Sequence, residues 1–313
     1  MATTATSALA AEGKSKTYTD AKEAGLPYKI QGEYVGKFDA DGSDQKFGMQ
    51  IIALGEGKYR AIAYFGGLPG DGWDGLGKIE ADGEEKDGVV KFEADEGSAT
   101  LKDGTVTINS SDGEALGTLE QVSRKSPTLG AKPPEGAIVL FDGSNNDQWM
   151  GGRVEDGLLH PACVTKKKFN DFTLHVEFRT PFMPGARGQG RGNSGVYLQD
   201  RYEVQVLDSF GLEGLDNECG GFYSIKAPDT NMCFPPLSWQ TYDIDFTSAK
   251  WEGDKKVKNA MVTVRHNGVL IHDNVEVPKG TPGRLDEGPD PAGISFQFHG
   301  NPVVFRNVWA VEK

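Results

Sequence analysis

Residues 203–208 read Glu203-Val-Gln205-Val-Leu-Asp208. Two carboxylates flank a neutral amide on what alternation marks as a strand. Paired acids of this kind can serve as acid and base at a glycosidic bond, and a retaining pair needs carboxyl groups about 5–5.5 Å apart. Five strand residues span roughly 16 Å at about 3.3 Å each. The two side chains would have to converge, and Asp is one methylene shorter than Glu. The motif therefore allows three readings: a glycosidase pair, other chemistry on sugars, or the polar face of an ordinary strand.

The elements that must position these residues are strands. In "FTLHVEFRT", Phe172, Leu174, Val176 and Phe178 share one face, and Thr173, His175, Glu177 and Arg179 share the other. In "YEVQV", Tyr202, Val204 and Val206 oppose Glu203 and Gln205. "GISFQFHG" puts Ile294, Phe296 and Phe298 opposite Ser295, Gln297 and His299. "AMVTVRHNGVLIHDN" is a hairpin, because Asn267-Gly268 supplies the positive φ of a type I′ turn. Long strands with one apolar and one polar face predict a two-sheet sandwich over residues 138–313. From 30 to 123, short strands such as "FGMQIIAL", "KYRAIAYF" and "GTVTINS" alternate with Asp-Gly and Glu-Gly turns. They predict a smaller antiparallel barrel or sandwich. The Pro- and Gly-rich stretch 124–137 reads as an extended linker. Residues 1–29 read as a flexible N-terminus, disordered to about residue 17. One short helix follows, with Thr19 or Asp20 as N-cap, Gly25 as C-cap and Pro27 as stop.

Composition agrees with an all-β chain: 42 Gly and 16 Pro in 313 residues, and no long run of helical period. A net charge of -13 disfavours phosphate backbones and anionic membranes. No apolar stretch is long enough to span a bilayer as a helix. Ala8-Leu9-Ala10 resembles the end of an export signal without an apolar region before it, so a periplasmic or extracellular protein with a trimmed signal is expected. Three cysteines leave at least one thiol unpaired in a monomer. Cys219 and Cys233 flank a loop and could bridge, or could be small buried hydrophobes. No strong transition-metal motif is present, and no cofactor is evident.

In laminarinase- and lichenase-type glycosidases, two Glu and an Asp lie along one strand as E-x-D-x-x-E or E-x-D-x-E. Here Gln205 removes the middle carboxylate and Asp208 replaces the second Glu. A wider resemblance covers about residues 136–313. "AIVLFDGSNNDQW", "GNSGVYLQDRYEVQVLDS", "ECGGFYSIKAPDTNMCFPPLSWQTYDIDF", "VTVRHNGVLIHDN" and "FQFHGNPVVFRNVWAVE" occur in order. The set resembles the 3-keto-disaccharide hydrolase family. Phe298 departs from it, since members commonly carry a polar residue there. The resemblance implies a concanavalin-like jelly roll and action on carbohydrates, namely glycosides whose C3 hydroxyl has been oxidised to a ketone. Such a ketone acidifies C2–H. A base can then form an enolate, the C1 substituent leaves by β-elimination, and water can add back. This chemistry needs a base, a clamp for the enolate oxygen and an acid for the leaving group.

On that reading Glu203, Asp208 and His299 are candidate acids and bases. Arg306 and Arg179 are candidate clamps; Arg306 could instead bridge Asp208 or Glu203 structurally. Glu177, Gln205 and Gln297 offer hydrogen bonds to hydroxyls. Tyr223 and Trp239 could stack on a pyranose, and Asn193 and Tyr197 complete the substrate contacts. A divalent ion could replace the arginine clamp. His175, His266 and His272 read as surface residues. A lectin-like protein that binds without turnover, and a hydrolase of unoxidised glycans, are the competing functions.

Overall fold

The computed structural model describes residues 16–40 and 43–313. The expectations for residues 1–15, including the Ala8-Leu9-Ala10 match, lie outside the described residues. Strands β1 (Gly32–Ala40), β2 (Ser43–Gly55), β3 (Lys58–Phe65), β4 (Lys78–Lys86), β5 (Val89–Ala94), β6 (Gly97–Lys102), β7 (Thr105–Ser110) and β8 (Ala115–Val122) pair in chain order. β1 then pairs with β8 and closes a barrel. Closure satisfies every strand edge, which short strands of a small unit cannot otherwise achieve.

The run Met49–Ala53 is apolar at nearly every position because β2 has two buried faces. Met49, Ile51 and Ala53 point into the barrel, while Ile52, with Ile62 and Tyr64 of β3, joins the core of the C-terminal half. The barrel is thus fastened to its neighbour through its side wall. A buried polar chain reinforces the join: Tyr64 donates to Gln50, Gln50 to Glu33, and Arg124 pairs with Glu33.

One short helix, α1 (Ala21–Ile30), precedes the barrel. Asp20 caps it, accepting a 2.8 Å bond from Lys22 N–H. Gly25 breaks it with φ 68°, as a C-cap residue does. Pro27 does not stop the chain. It opens a second helical turn, where its missing N–H costs nothing.

The C-terminal half contains β9 (Ile138–Phe141), β10 (Trp149–Glu155), β11 (Leu158–Thr165), β12 (Phe172–Arg179), β13 (Ser194–Leu198), β14 (Tyr202–Val206) and β15 (Gln240–Thr247). A small ribbon, β16 (Lys250–Glu252) and β17 (Lys255–Lys258), precedes β18 (Ala260–His266), β19 (Val269–Val277), β20 (Ser295–Phe298) and β21 (Val304–Glu312). Apart from the ribbon these strands form one curled sheet in the order β14-β13-β20-β11-β21-β12-β15-β18-β19, with β10 on β11 and β9 on β21. The sheet is sandwich-like and wraps a single core built from the alternating apolar residues. Phe172, Leu174, Val176, Phe178, Val196, Val204, Phe296 and Phe305 are all buried there. The turn at Asn267 (φ 51°) and Gly268 (φ 81°) is the expected hairpin.

The polar faces are not simply solvated. Residues 124–137 lie against the outer side of β12, β15 and β21. Ser126 and Thr128 bond Thr241, Thr128 bonds Asp243, and Gly130 N–H bonds Glu177. Ala131 O accepts from Asn307 and Trp309. The connecting segment is therefore docked, because strand residues that look solvent-facing by period supply its hydrogen-bond partners. The surface-histidine expectation fails for the same kind of reason. His175 stacks on Trp309 at 5.0 Å under the docked segment. His266 is buried beside Phe178 and Tyr242, and His272 beside Phe222. Burial pushes His266 down to about 3 and His272 to about 4, so both are neutral. All three cysteines are buried free thiols, so Cys219 and Cys233 are not bridged. Phe298 is 57% exposed, because β20 ends there and the core ends with it.

Candidate active site

Register decides which side chains meet. Tyr197 of β13 lies opposite both Glu203 of β14 and Ser295 of β20, and Gly195 lies opposite both Gln205 and Gln297. Directly paired residues point to the same side of a sheet. Glu203, Gln205, Gly195, Tyr197, Ser295 and Gln297 therefore share the outer face of these three strands.

Glu203 is the centre of this group and is 3% exposed. The Tyr197 hydroxyl lies 2.8 Å from its Oε2. That hydroxyl accepts from Gln297 Nε2 at 3.2 Å and has a second acceptor, Pro282 O, at 3.2 Å. It carries one proton for two acceptors, and ionised Glu203 is the stronger competitor. No described residue donates to Oε1. Instead, Oε1 occupies the space where Gly195 lacks a side chain: a Cβ there would sit 2.1 Å from it. Burial pushes the Glu203 carboxyl up to about 7, opposed by the Tyr197 bond and the nearby Arg284 charge. The group is poised to exchange a proton near neutrality.

The loop 278–287 fixes this geometry from outside. Thr281 Oγ1 accepts from Glu203 N–H and donates to Arg201 O. Leu285 N–H bonds Asp200 O, and Arg201 bonds Asp286 O. The loop thereby holds Arg284 with its guanidinium 5.2 Å from the Tyr197 ring centre and 3.6 Å from Asp200 Oδ1. Arg284 was not among the residues the sequence singled out. Its segment, "GTPGRLDEG", has no period to assign it a face. The available signal is an arginine in a Gly- and Pro-rich loop.

The remaining candidates divide. Gln205 donates to Gln189 Oε1 at 2.9 Å, which also accepts from Asn193. Gln189 belongs to a single 3-10 turn, Gly188–Gly190, and is a second residue the sequence reading missed. Asn193 N–H is held by Asn301, and its own Oδ1 is buried without a partner among the described residues. Tyr223 is half-buried, and its backbone N–H bonds Glu203 O. His299 lies just past the end of β20, exposed and without a hydrogen bond among the described residues.

Asp208 does not converge with Glu203 as a pair. It is buried and bonded by Arg191 at 2.7 Å, and Arg191 also reaches the barrel at Ala53 O. The acid is taken up in joining the two halves of the chain. Arg306 does not meet Asp208 or Glu203 either. A bulge opposite His175–Glu177 aims it at Glu177, 2.7 Å away. Arg306 and Arg179 lie 3.9 and 5.0 Å from the Trp239 ring centre. Their stacking occupies the surface expected to carry a pyranose. Burial would raise the Glu177 carboxyl, but bonds from His175, Asn307, Gly130 N–H and Arg306 outweigh it and hold it down near 2. Glu177, Arg179, Arg306 and Trp239 thus form a second group. No hydrogen bond or ion pair joins it to Glu203 among the described residues. No cluster of three or more His, Cys, Asp or Glu side chains suited to a metal ion occurs among the described residues.

Residues 136–311 match the family described as the 3-keto-alpha-glucoside-1,2-lyase-like domain. The chain belongs to this family. A protein of Parabacteroides distasonis proposed to be a glycosyl hydrolase is 32% identical, with a TM-score of 0.54 over 57% of this chain and 85% of the other. A second such protein from that organism is 21% identical, with a TM-score of 0.44 over 57% and 94%. No curated protein matches the chain. The family is 3-keto-glycoside lyase-like, and the 32% identical neighbour is a proposed glycosyl hydrolase.

The Gly195 cradle yields a prediction. Gly195→Ala is expected to displace the Glu203 carboxylate and to lower any turnover that depends on Glu203 by about 10–100-fold, since a shift near 1 Å can cost that much. Circular dichroism should remain that of the parent. Unchanged turnover in a folded variant would show that the carboxylate position does not matter.

Proposed function

We propose that the protein cleaves 3-keto-glycosides by elimination across C1 and C2. The carrying observation is Glu203: a buried carboxylate near pKa 7, with one oxygen bonded to Tyr197 and the other, in the Gly195 cradle, free of donors among the described residues. Glu203 removes the C2 proton, whose acidity comes from the C3 ketone. The electron pair moves into the enolate, and Arg284 stabilises the charge on its oxygen. The C1–O bond then breaks. The departing oxygen recovers a proton from Glu203, so a keto-glycoside becomes an enone and an alcohol with atoms balanced. Tyr197 follows the charge: its hydroxyl serves Glu203 when ionised and Pro282 O when it is protonated.

This reading uses one acid–base residue, which suits a site whose second acid is tied to Arg191. It also agrees with the elimination chemistry in the family description. Water addition to the enone would complete a net hydrolysis. The test compares a 3-keto-disaccharide with its parent sugar, following enone absorbance and reducing sugar. Product from the keto form alone supports the proposal. Cleavage of the parent would favour a conventional hydrolase, and binding without product would favour a lectin.

A further inference from the structure

An eight-stranded barrel is just wide enough for side chains to fill it or for one small ligand to enter. Here one end is filled. Tyr34, Tyr59, Val90, Leu101, Val106 and Leu119 are buried inside, and Tyr34 is pinned by a 2.7 Å bond to Ile30 O. The other end is hollow, because small residues stand where branched ones would fill the lumen. Ala61, Ala63 and Ala99, with Met49, line a cavity of about 140 Å³. Its mouth is framed by three rings in mutual contact. Phe38 and Phe47 stack at 5.1 Å, and Phe65 meets both edge-on at 6.1 and 5.2 Å. Phe65 is 45% exposed at this mouth.

Two features identify the occupant. The size is that of a single ring: an apolar cavity of about 150 Å³ in another protein stays dry and takes up benzene. The mouth offers ring faces and edges, which favour an aromatic guest through offset and edge-on contacts. A polar guest would find little, since Ser98 and Asn109 supply the few polar side chains at the rim besides Glu96. We infer that the barrel lumen is a binding site for a monocyclic aromatic group, separate from the Glu203 site.

The test uses benzyl alcohol as the probe and the full-length protein labelled at its methionine methyl groups. Met49 is buried in the lumen wall, whereas Met150 is 53% exposed on β10. Titration should shift the Met49 methyl signal saturably and leave Met150 in place. A Kd on the order of 1 mM is expected for so small a ligand. Ala63→Leu, which fills the hollow, should weaken binding at least tenfold without lowering the melting temperature. Hexanol, similar in size but without a ring, should bind more weakly than benzyl alcohol. No saturable Met49 shift in the parent protein would overturn the proposal, whatever the variant does. Equal binding of hexanol would overturn the aromatic assignment, and unchanged affinity in folded Ala63→Leu would overturn the lumen as the site.

Discussion

Glu203→Gln is expected to cut turnover of a 3-keto-glycoside by about 10²–10⁴-fold, the usual cost of losing a positioned base. The same change is expected to stabilise the protein at alkaline pH. The folded carboxyl titrates near 7, against 4.5 as its ordinary value. The native state therefore holds a proton that the unfolded chain releases. Below pH 4.5 both states are protonated and the group contributes nothing. As pH rises towards 7 the unfolded state is progressively favoured, and above 7 the penalty levels off at up to about 3 kcal/mol. Gln carries no charge and avoids it. Urea titrations of both proteins at pH 4 and pH 8 measure this. A gain at pH 8 that vanishes at pH 4 is expected. A loss of stability at pH 8 would mean that the carboxylate is well solvated, and its proposed role as a tuned base would go with it.

The second large effect has the opposite sign. Glu177 is buried and sits near pKa 2, against an ordinary 4.5. Its stabilising contribution is complete above pH 4.5 and is lost as pH falls towards 2. Glu177→Gln should cost about 2–4 kcal/mol at pH 7, because Arg306 loses its anion and the buried His175 keeps only Asp243 as an acidic partner. The docked segment should loosen as well, since Gly130 N–H loses a charged acceptor. Faster proteolysis near Lys132 in the variant would report that directly. Turnover per folded molecule should change little, as Glu177 does not contact the Glu203 group. A large fall in kcat with unchanged stability would instead assign Glu177 to the reaction.

Much of the architecture could be read from period alone. Alternation in 172–178, 202–206 and 294–297 identified the buried face of each strand, and with it the outward side of Glu203 and Gln297. Parity cannot show what covers a polar face. His175 and Glu177 look solvent-facing until residues 124–137 fold over them. Nor can spacing along one strand reveal a partner supplied from elsewhere. Asp208 is claimed by Arg191, seventeen positions away, and Tyr197 is capped by Arg284 from an irregular loop. Gln205 offers its amide to a ligand by strand parity, yet that amide is spent on Gln189 and on Val206 N–H. The family resemblance implies chemistry that needs a base, the role proposed for Glu203.

That chemistry is tested most directly at C2 of the sugar. A 3-keto-glycoside carrying deuterium at C2 is incubated with the protein in ordinary water, and the label in the sugar product is followed by mass spectrometry. A control without protein corrects for spontaneous enolisation, and a Glu203→Gln control identifies the base. Elimination predicts that the product loses its deuterium at the rate of cleavage, and that Glu203→Gln nearly abolishes both. Cleavage that leaves the C2 deuterium in the product would contradict the account, because only displacement at C1 spares that bond.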